Sequence, residues 1–325
     1  MVDNAKSSLR NIRCGVPQGS ILGPLLFLIY VNDMWRAVPN SAIKLFADDT
    51  NMFLSGENLK SLYESTNKEL EKLAKWVFTN KLSINYEKTC YTIFKPGGKG
   101  ASNDANDMTI KIRGIVISGV HTCKYLGMVL DDQLLWKLHI DHVYKKIIKF
   151  TCLFYKLREI VPAGILRKIY FALVYPHINY GIELYANTHP TYLDHLIKLN
   201  NKILRIVQRR KMDTAVSLLY KSFNLMQIPQ LFKFNVSVLV YKVLNYSEAL
   251  PSVYKNYFVA NSTIHEHNTR HSAALHKKTV NTSYGFRTVR EHGTRIWNDI
   301  PAEIQNIPSL SSFKRMLKKH YINSI

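Results

Sequence analysis

Carboxylates are scarce in this chain of 325 residues: Asp and Glu together number 23 against 44 Lys and Arg, a formal charge of +21. A compact protein with that excess repels itself, and the polyanion that most often relieves it is nucleic acid. Beyond Asp132 acids are sparse while Lys and Arg recur to the end, so the basic face is expected to be extended. Cysteine is scarce too. Cys14, Cys90, Cys123 and Cys152 stand far apart with no C-x-x-C pair. That spacing argues against a zinc knuckle and a disulfide scaffold and suits a reducing intracellular compartment, cytoplasm or nucleus. The apolar run from Ile21 to Val31 is too short to span a bilayer, and the opening residues do not read as a secretory signal, so no membrane role is expected. His265, His267, His271 and His276 lack a helical H-x-x-x-H frame with a carboxylate and read as polar loop residues.

Two short stretches near the start carry more. The first, Cys14-Gly-Val-Pro-Gln-Gly-Ser-Ile-Leu-Gly-Pro24, is rich in glycine and proline and opens the apolar run to Val31. Such a segment can bring backbone close to a ligand before a helix, here predicted from about Ser20 towards Val38. Gly23-Pro24 would sit in its first turn, where a missing N–H costs little. A glycine-rich turn that merely caps a buried helix explains the stretch equally well. The second, Ile43-Lys-Leu-Phe-Ala-Asp-Asp-Thr50, delivers two adjacent carboxylates and is followed by Met52-Phe-Leu54. The pattern predicts a β-hairpin with Asp48 and Asp49 at its tip, where a hard divalent cation would meet oxygen ligands. Paired acids in a turn also bond their own backbone and then need no metal. Asp33, in the predicted helix, reads as a structural acid.

These stretches, with Leu82-Ser-Ile-Asn-Tyr-Glu-Lys-Thr89 and Tyr125-Leu-Gly-Met-Val-Leu-Asp131 after them, closely resemble in order and wording the palm of reverse transcriptases. The resemblance is to those of non-LTR retrotransposons, LINE-like elements of the jockey and CR1 kind. It implies an RNA-directed DNA polymerase that takes an RNA template, a DNA primer and deoxynucleotides and works with two magnesium ions, manganese being an alternative. It implies catalytic and metal-binding roles for Asp48 and Asp49. It places Gln18 and Gly19 against the incoming nucleotide, Lys88 near the nucleotide's phosphates, and Tyr125, Leu126 and Gly127 at the primer's 3′ end. An ordinary surface lysine explains Lys88 as well, and a β-bulge explains Gly127. In that family a further aspartate comes from an apolar strand upstream of the glycine-rich segment, preceded by the fingers. Nothing suitable precedes Gly15, Asp3 lying in a polar stretch. The chain is therefore expected to be N-terminally truncated relative to the complete enzyme and inactive alone.

The fold class expected is α+β: a partial polymerase palm, an antiparallel sheet packed with helices, over residues 1–132, then a helical thumb-like region over 133–212 and an extension without assigned role over 213–325. From Glu57 to Thr79, apolar residues at three- and four-residue steps between Leu59 and Val77 predict an amphipathic helix. Strands are predicted at 90–94, 109–113, 115–117 and 123–130. Helices are predicted from Trp136 to Glu159, from Pro162 to a stop at Pro176, and from about Tyr192 to Arg210. The first carries Lys145, Lys146, Lys149, Lys156 and Arg158, and the third ends in the basic run Arg205 to Lys211. Each such side chain that meets a phosphate would release counterions and make binding salt-dependent. The alternative to a polymerase is a non-catalytic nucleic-acid-binding remnant of a mobile element.

Overall fold

The computed structural model describes residues 15–17, 19–94, 108–264 and 274–324. It divides into two compact units, residues 1–93 with 98–120 and residues 121–325 with 94–97. Each is taken by itself.

In the first unit, helix α1 (Leu22–Val31) starts with Gly23-Pro24 in its first turn, as expected, but stops well short of Val38. A separate 3-10 turn, Met34–Ala37, follows, with exposed Asp33 just before it. Strands β1 (Ala42–Phe46) and β2 (Asp49–Phe53) pair antiparallel. The period of two sends Ile43, Leu45 and Met52 inward onto Val31, Met34, Val38, Leu73 and Val77. Helix α2 (Leu59–Thr79) begins two residues after the expected Glu57, because the Asn58 side chain caps it by accepting the Lys60 N–H at 2.8 Å. It ends in a Schellman turn: Lys81 is left-handed at φ 55°, with Leu82 N–H bonded to Val77 O and Lys81 N–H to Phe78 O. Strand β3 (Cys90–Tyr91) pairs with β6 (Ser118–Gly119), while β4 (Lys111–Ile112) and β5 (Ile115–Val116) form a hairpin whose Ile112 packs with Tyr63, Ala74, Ile110 and Ile117.

In the second unit, β7 (Thr122–Tyr125) and β8 (Met128–Asp131) form a hairpin that leads into α3 (Lys137–Leu157). Then come α4 (Ala163–Leu173), α5 (Tyr175–Asn179), α6 (Ile182–Tyr185) and α7 (Pro190–Val207). Pro176, expected to close a helix, falls instead in the first turn of α5, where its missing N–H is no loss. Helices α8 (Val216–Phe223) and α9 (Ile228–Asn245) follow, and α10 (Ser283–Phe286), α11 (Val289–Asn298), α12 (Ala302–Gln305) and α13 (Leu310–Asn323) complete the unit.

One apolar core runs through this unit, from Ile140 and Ile147 on α3 through Leu196 and Ile203 on α7 to Val236 and Tyr241 on α9 and Phe313 on α13. Helix α9 buries residues all round, as a central helix must. Tyr241 stacks on Phe313 with ring centroids 4.2 Å apart and donates its hydroxyl to Ile307 O. Residues 213–325 therefore share the core of residues 133–212. A buried polar chain lies within it: Tyr170 Oη donates to Asn200 Oδ1 at 2.9 Å, Asn200 Nδ2 donates to Tyr220 Oη at 2.8 Å, and Tyr220 Oη donates to Asn201 Oδ1 at 2.7 Å.

The molecule is thus mixed α and β and mostly helical, with three antiparallel hairpins. The single antiparallel sheet expected of the first region is corrected: among the described residues no ladder is wider than two strands, and β3–β6 is parallel. Two-residue turns close each antiparallel hairpin on its sequence neighbour. Among the described residues no helix is long and apolar enough to cross a membrane.

Candidate functional site

The β1–β2 register pairs Phe46 with Asp49, leaving Ala47 and Asp48 as a two-residue turn. Ala47 sits at φ 51°, left-handed backbone at the first central position, where a hairpin normally uses glycine. A non-glycine residue held there costs of order 1 kcal/mol or more, and such strain gathers at functional sites. Asp48 and Asp49 are both exposed. Asp49 shares the outward face of the hairpin with Lys44, Phe46, Asn51 and Phe53, opposite the half-buried Ile43, Leu45 and Met52. Beside the turn an apolar cleft of about 280 Å³ is lined by Pro24, Phe27 and Leu28 of α1 and by Leu45, Phe46 and Ala47. The start of α1 and the acidic turn therefore border one space.

Leading into α1, Ser20 N–H bonds to Pro17 O at 3.0 Å and Gly19 stands at φ 86°. A positive φ at the third position is the signature of a type II turn, which admits glycine freely. Gln18, expected beside it against a nucleotide, lies outside the described residues, as do His265, His267 and His271. Lys88 is exposed in a turn organised by Asn85, whose Oδ1 accepts the Lys88 N–H at 3.1 Å. Asp48, Asp49, Gly19 and Lys88 all belong to the first unit.

Tyr125, Leu126 and Gly127 belong to the second unit, at the tip of the β7–β8 hairpin. Leu126 at φ 44° and Gly127 at φ 80° form the two left-handed positions of a type I′ turn, so Gly127 is a turn residue here and no bulge. Three side chains distant in sequence or hidden in the pattern support this hairpin. Tyr180 Oη donates to Leu126 O at 2.5 Å. The Val129 N–H donates to His139 Nδ1 at 3.2 Å. Asp131, 8% exposed, accepts the backbone N–H groups of Gln133, Leu135 and Trp136 at 3.2, 2.9 and 2.9 Å and so folds the strand end into the start of α3.

His139 is 2% exposed. Burial, aided by His142 and Lys146 nearby, pushes its imidazole down from 6.5 to about 4. The folded chain thus holds it neutral while the unfolded chain takes up a proton below about pH 6.5. Its contribution is fully present above that pH and is lost as pH falls towards 4, roughly 3 kcal/mol in all. Urea unfolding between pH 7 and pH 4.5 is expected to show this slope, and a His139→Gln chain is expected to flatten it.

The basic helices are divided between fold and surface. On α3, Lys145, Lys149 and Lys156 recur at steps of four and seven along one exposed face, with exposed Lys146 beside them. They extend over roughly 16 Å of helix. The acid on that helix, Asp141, is paired with His195 of α7 at 3.1 Å, so the lysine face stays uncompensated along α3. In the run Arg205 to Lys211, by contrast, Arg205 donates to Thr214 O and Arg209 to Val161 O, holding loop backbone. Arg158 pairs with Glu159.

Asp48 and Asp49 are hard oxygen donors, exposed at a turn, and suit a divalent cation as part of a ligand set. Among the described residues no three His, Cys, Asp or Glu side chains gather to hold a metal ion, so the pair supplies a partial set.

The reverse transcriptase (RNA-dependent DNA polymerase) family matches residues 1–130, which include the acidic turn and the Tyr125–Gly127 tip. The RNA-directed DNA polymerase from mobile element jockey of Drosophila melanogaster is 27% identical over 215 residues, 63% of this chain and 23% of that protein. Its counterpart from Drosophila funebris is 31% identical over 62% of this chain and 23% of its own length. The probable RNA-directed DNA polymerase from transposon BS of Drosophila melanogaster is 25% identical over 69% of this chain and 25% of its own length. The chain spans about a quarter of the length of these curated relatives. No solved structure matches it. Residues 1–130 thus match the reverse transcriptase family, and over about 60% of its length the chain is similar to RNA-directed DNA polymerases of non-LTR retrotransposons.

Proposed function

We propose that this chain is the part of an RNA-directed DNA polymerase that holds the metal-binding turn, the primer and the duplex during template-directed nucleotidyl transfer. The observation that carries the reading is the strained hairpin turn presenting Asp48 and Asp49 inside residues 1–130. Reverse transcriptases use divalent metal ions, and magnesium is the ion assigned to this pair, with manganese as a substitute. Bound there, such ions lower the pKa of the primer's 3′-hydroxyl and steady the charge developing on the transferring phosphoryl group and pyrophosphate.

In this reading Asp48 and Asp49 hold the ions, and the left-handed Ala47 fixes where their carboxylates stand. Gly19, with Gln18, lets backbone lie against the incoming deoxynucleotide. Lys88 offers an exposed ammonium to its phosphates, and Tyr125, Leu126 and Gly127 meet the end of the primer. The lysine face of α3 holds the template–primer duplex through its phosphates.

A second reading, a nucleic-acid-binding remnant without catalysis, is favoured by that same lysine face. It lies beyond residue 130 and needs no metal. Both readings predict binding that weakens as salt rises. Four lysines meeting phosphates give a slope of log K against log salt of about −3 to −4. Cys152 is exposed between Lys149 and Lys156 on α3 and provides a local reporter. Bound duplex is expected to shield it from alkylation. Duplex binding without salt dependence, or with Cys152 equally reactive, would remove α3 from the interface. Primer extension separates the two readings: this polypeptide alone is expected to show none with magnesium, since among the described residues no third carboxylate gathers with Asp48 and Asp49. Processive synthesis by it would overturn that part of the proposal.

A further inference from the structure

The tip of the β7–β8 hairpin is built in a way its own residues do not favour. Two successive positions are left-handed, and only one of them is glycine. Leucine at the other would relax towards ordinary backbone unless something outside the hairpin held it. Tyr180, the residue that ends α5, supplies that hold twice. Its hydroxyl binds the Leu126 carbonyl at 2.5 Å, and its ring lies 3.4 Å from the point a Cβ on Gly127 would occupy. The same side chain thus holds one left-handed residue by a hydrogen bond and packs its ring beside the next.

Tyr180 is itself 56% exposed, so it stands at the margin of the core. The hairpin is anchored to that core separately, through buried Met128 and the Val129 bond to His139. Removing the hydroxyl should therefore change the shape of the tip and leave the unit folded. We propose that Tyr180 is a positioning residue that presents Leu126 and Gly127 to the 3′-terminal nucleotide of a primer. The inference rests on the reading of that tip as the primer contact.

The test uses the whole 325-residue chain and an RNA–DNA template–primer duplex carrying 4-thiothymidine either at the primer's 3′ terminus or at an internal position. The wild-type chain is expected to photocrosslink at the terminal position. Tyr180→Phe is expected to cut that yield at least five-fold while leaving the internal crosslink, the duplex affinity and the melting temperature nearly unchanged. An unchanged terminal crosslink in Tyr180→Phe overturns the inference while the primer reading stands. So does a large fall in melting temperature, which would make Tyr180 a structural residue. A wild-type chain that crosslinks internally but never at the terminus overturns the primer reading and the inference with it.

Discussion

Asp48→Asn is expected to lower magnesium-dependent nucleotide incorporation by roughly 1,000-fold or more, measured in a polypeptide that joins this chain to the segments its longer relatives possess. Asparagine keeps the size of the side chain and removes the charge that holds a hard cation. The stabilisation lost, several kcal/mol, converts at about 1.4 kcal/mol per factor of ten. The fold should not suffer, because Asp48 is an exposed turn residue and no described side chain donates to its carboxylate. Affinity for a template–primer duplex should not fall either, since losing a negative charge cannot weaken attraction to a polyanion. Incorporation at the unmodified rate would show that the turn is idle and would favour the binding-only reading.

Asp131→Ala is expected to destabilise the second unit by about 3–5 kcal/mol in urea unfolding. The carboxylate satisfies three backbone N–H groups where the chain turns from β8 into α3, and two intervening residues, Leu134 at φ 49° and Trp136 at φ 64°, are left-handed. Alanine strands those donors in a largely buried corner and removes what held the strained backbone, each stranded donor costing about 1–3 kcal/mol. Because the same corner anchors the hairpin carrying Tyr125 to Gly127, duplex binding should weaken along with stability. Asp131→Asn, which keeps an acceptor oxygen, is expected to lose about half as much. A loss below about 1 kcal/mol in Asp131→Ala would mean that water replaces the carboxylate at little cost.

Local signals carried the elements well. The apolar periodicity from Leu59 to Val77 marked α2, and the alternation around Asp48 and Asp49 marked β1 and β2, because each pattern reports one buried face and needs no distant partner. The end of α1 was less legible. Met34, Val38 and their neighbours extend the apolar run past Val31, and only the packing of Met34 and Val38 against α2 shows that the helix breaks there. Helix α9 is buried nearly all round, and such a helix has no polar face to reveal its turn in the sequence. Tyr180, His139 and Asp131 had no readable signal as partners of the Tyr125–Gly127 hairpin. Tyr180 lies 54 residues from the carbonyl it binds, and no composition or spacing announces such a contact.

By itself the sequence determined the kind of chemistry on offer: an excess of cations suited to a polyanion, two adjacent carboxylates between β-forming runs, and glycines where backbone must turn. These are properties of residue type and near-neighbour order. What only the tertiary structure decided is which backbone conformations those residues are forced into and by whom. Ala47 and Leu126 occupy left-handed geometry that neither prefers, and a tyrosine hydroxyl from a distant helix holds the second of them. Strain of that kind comes from long-range contacts that outweigh local preference, so it is absent from any window of sequence short enough to read.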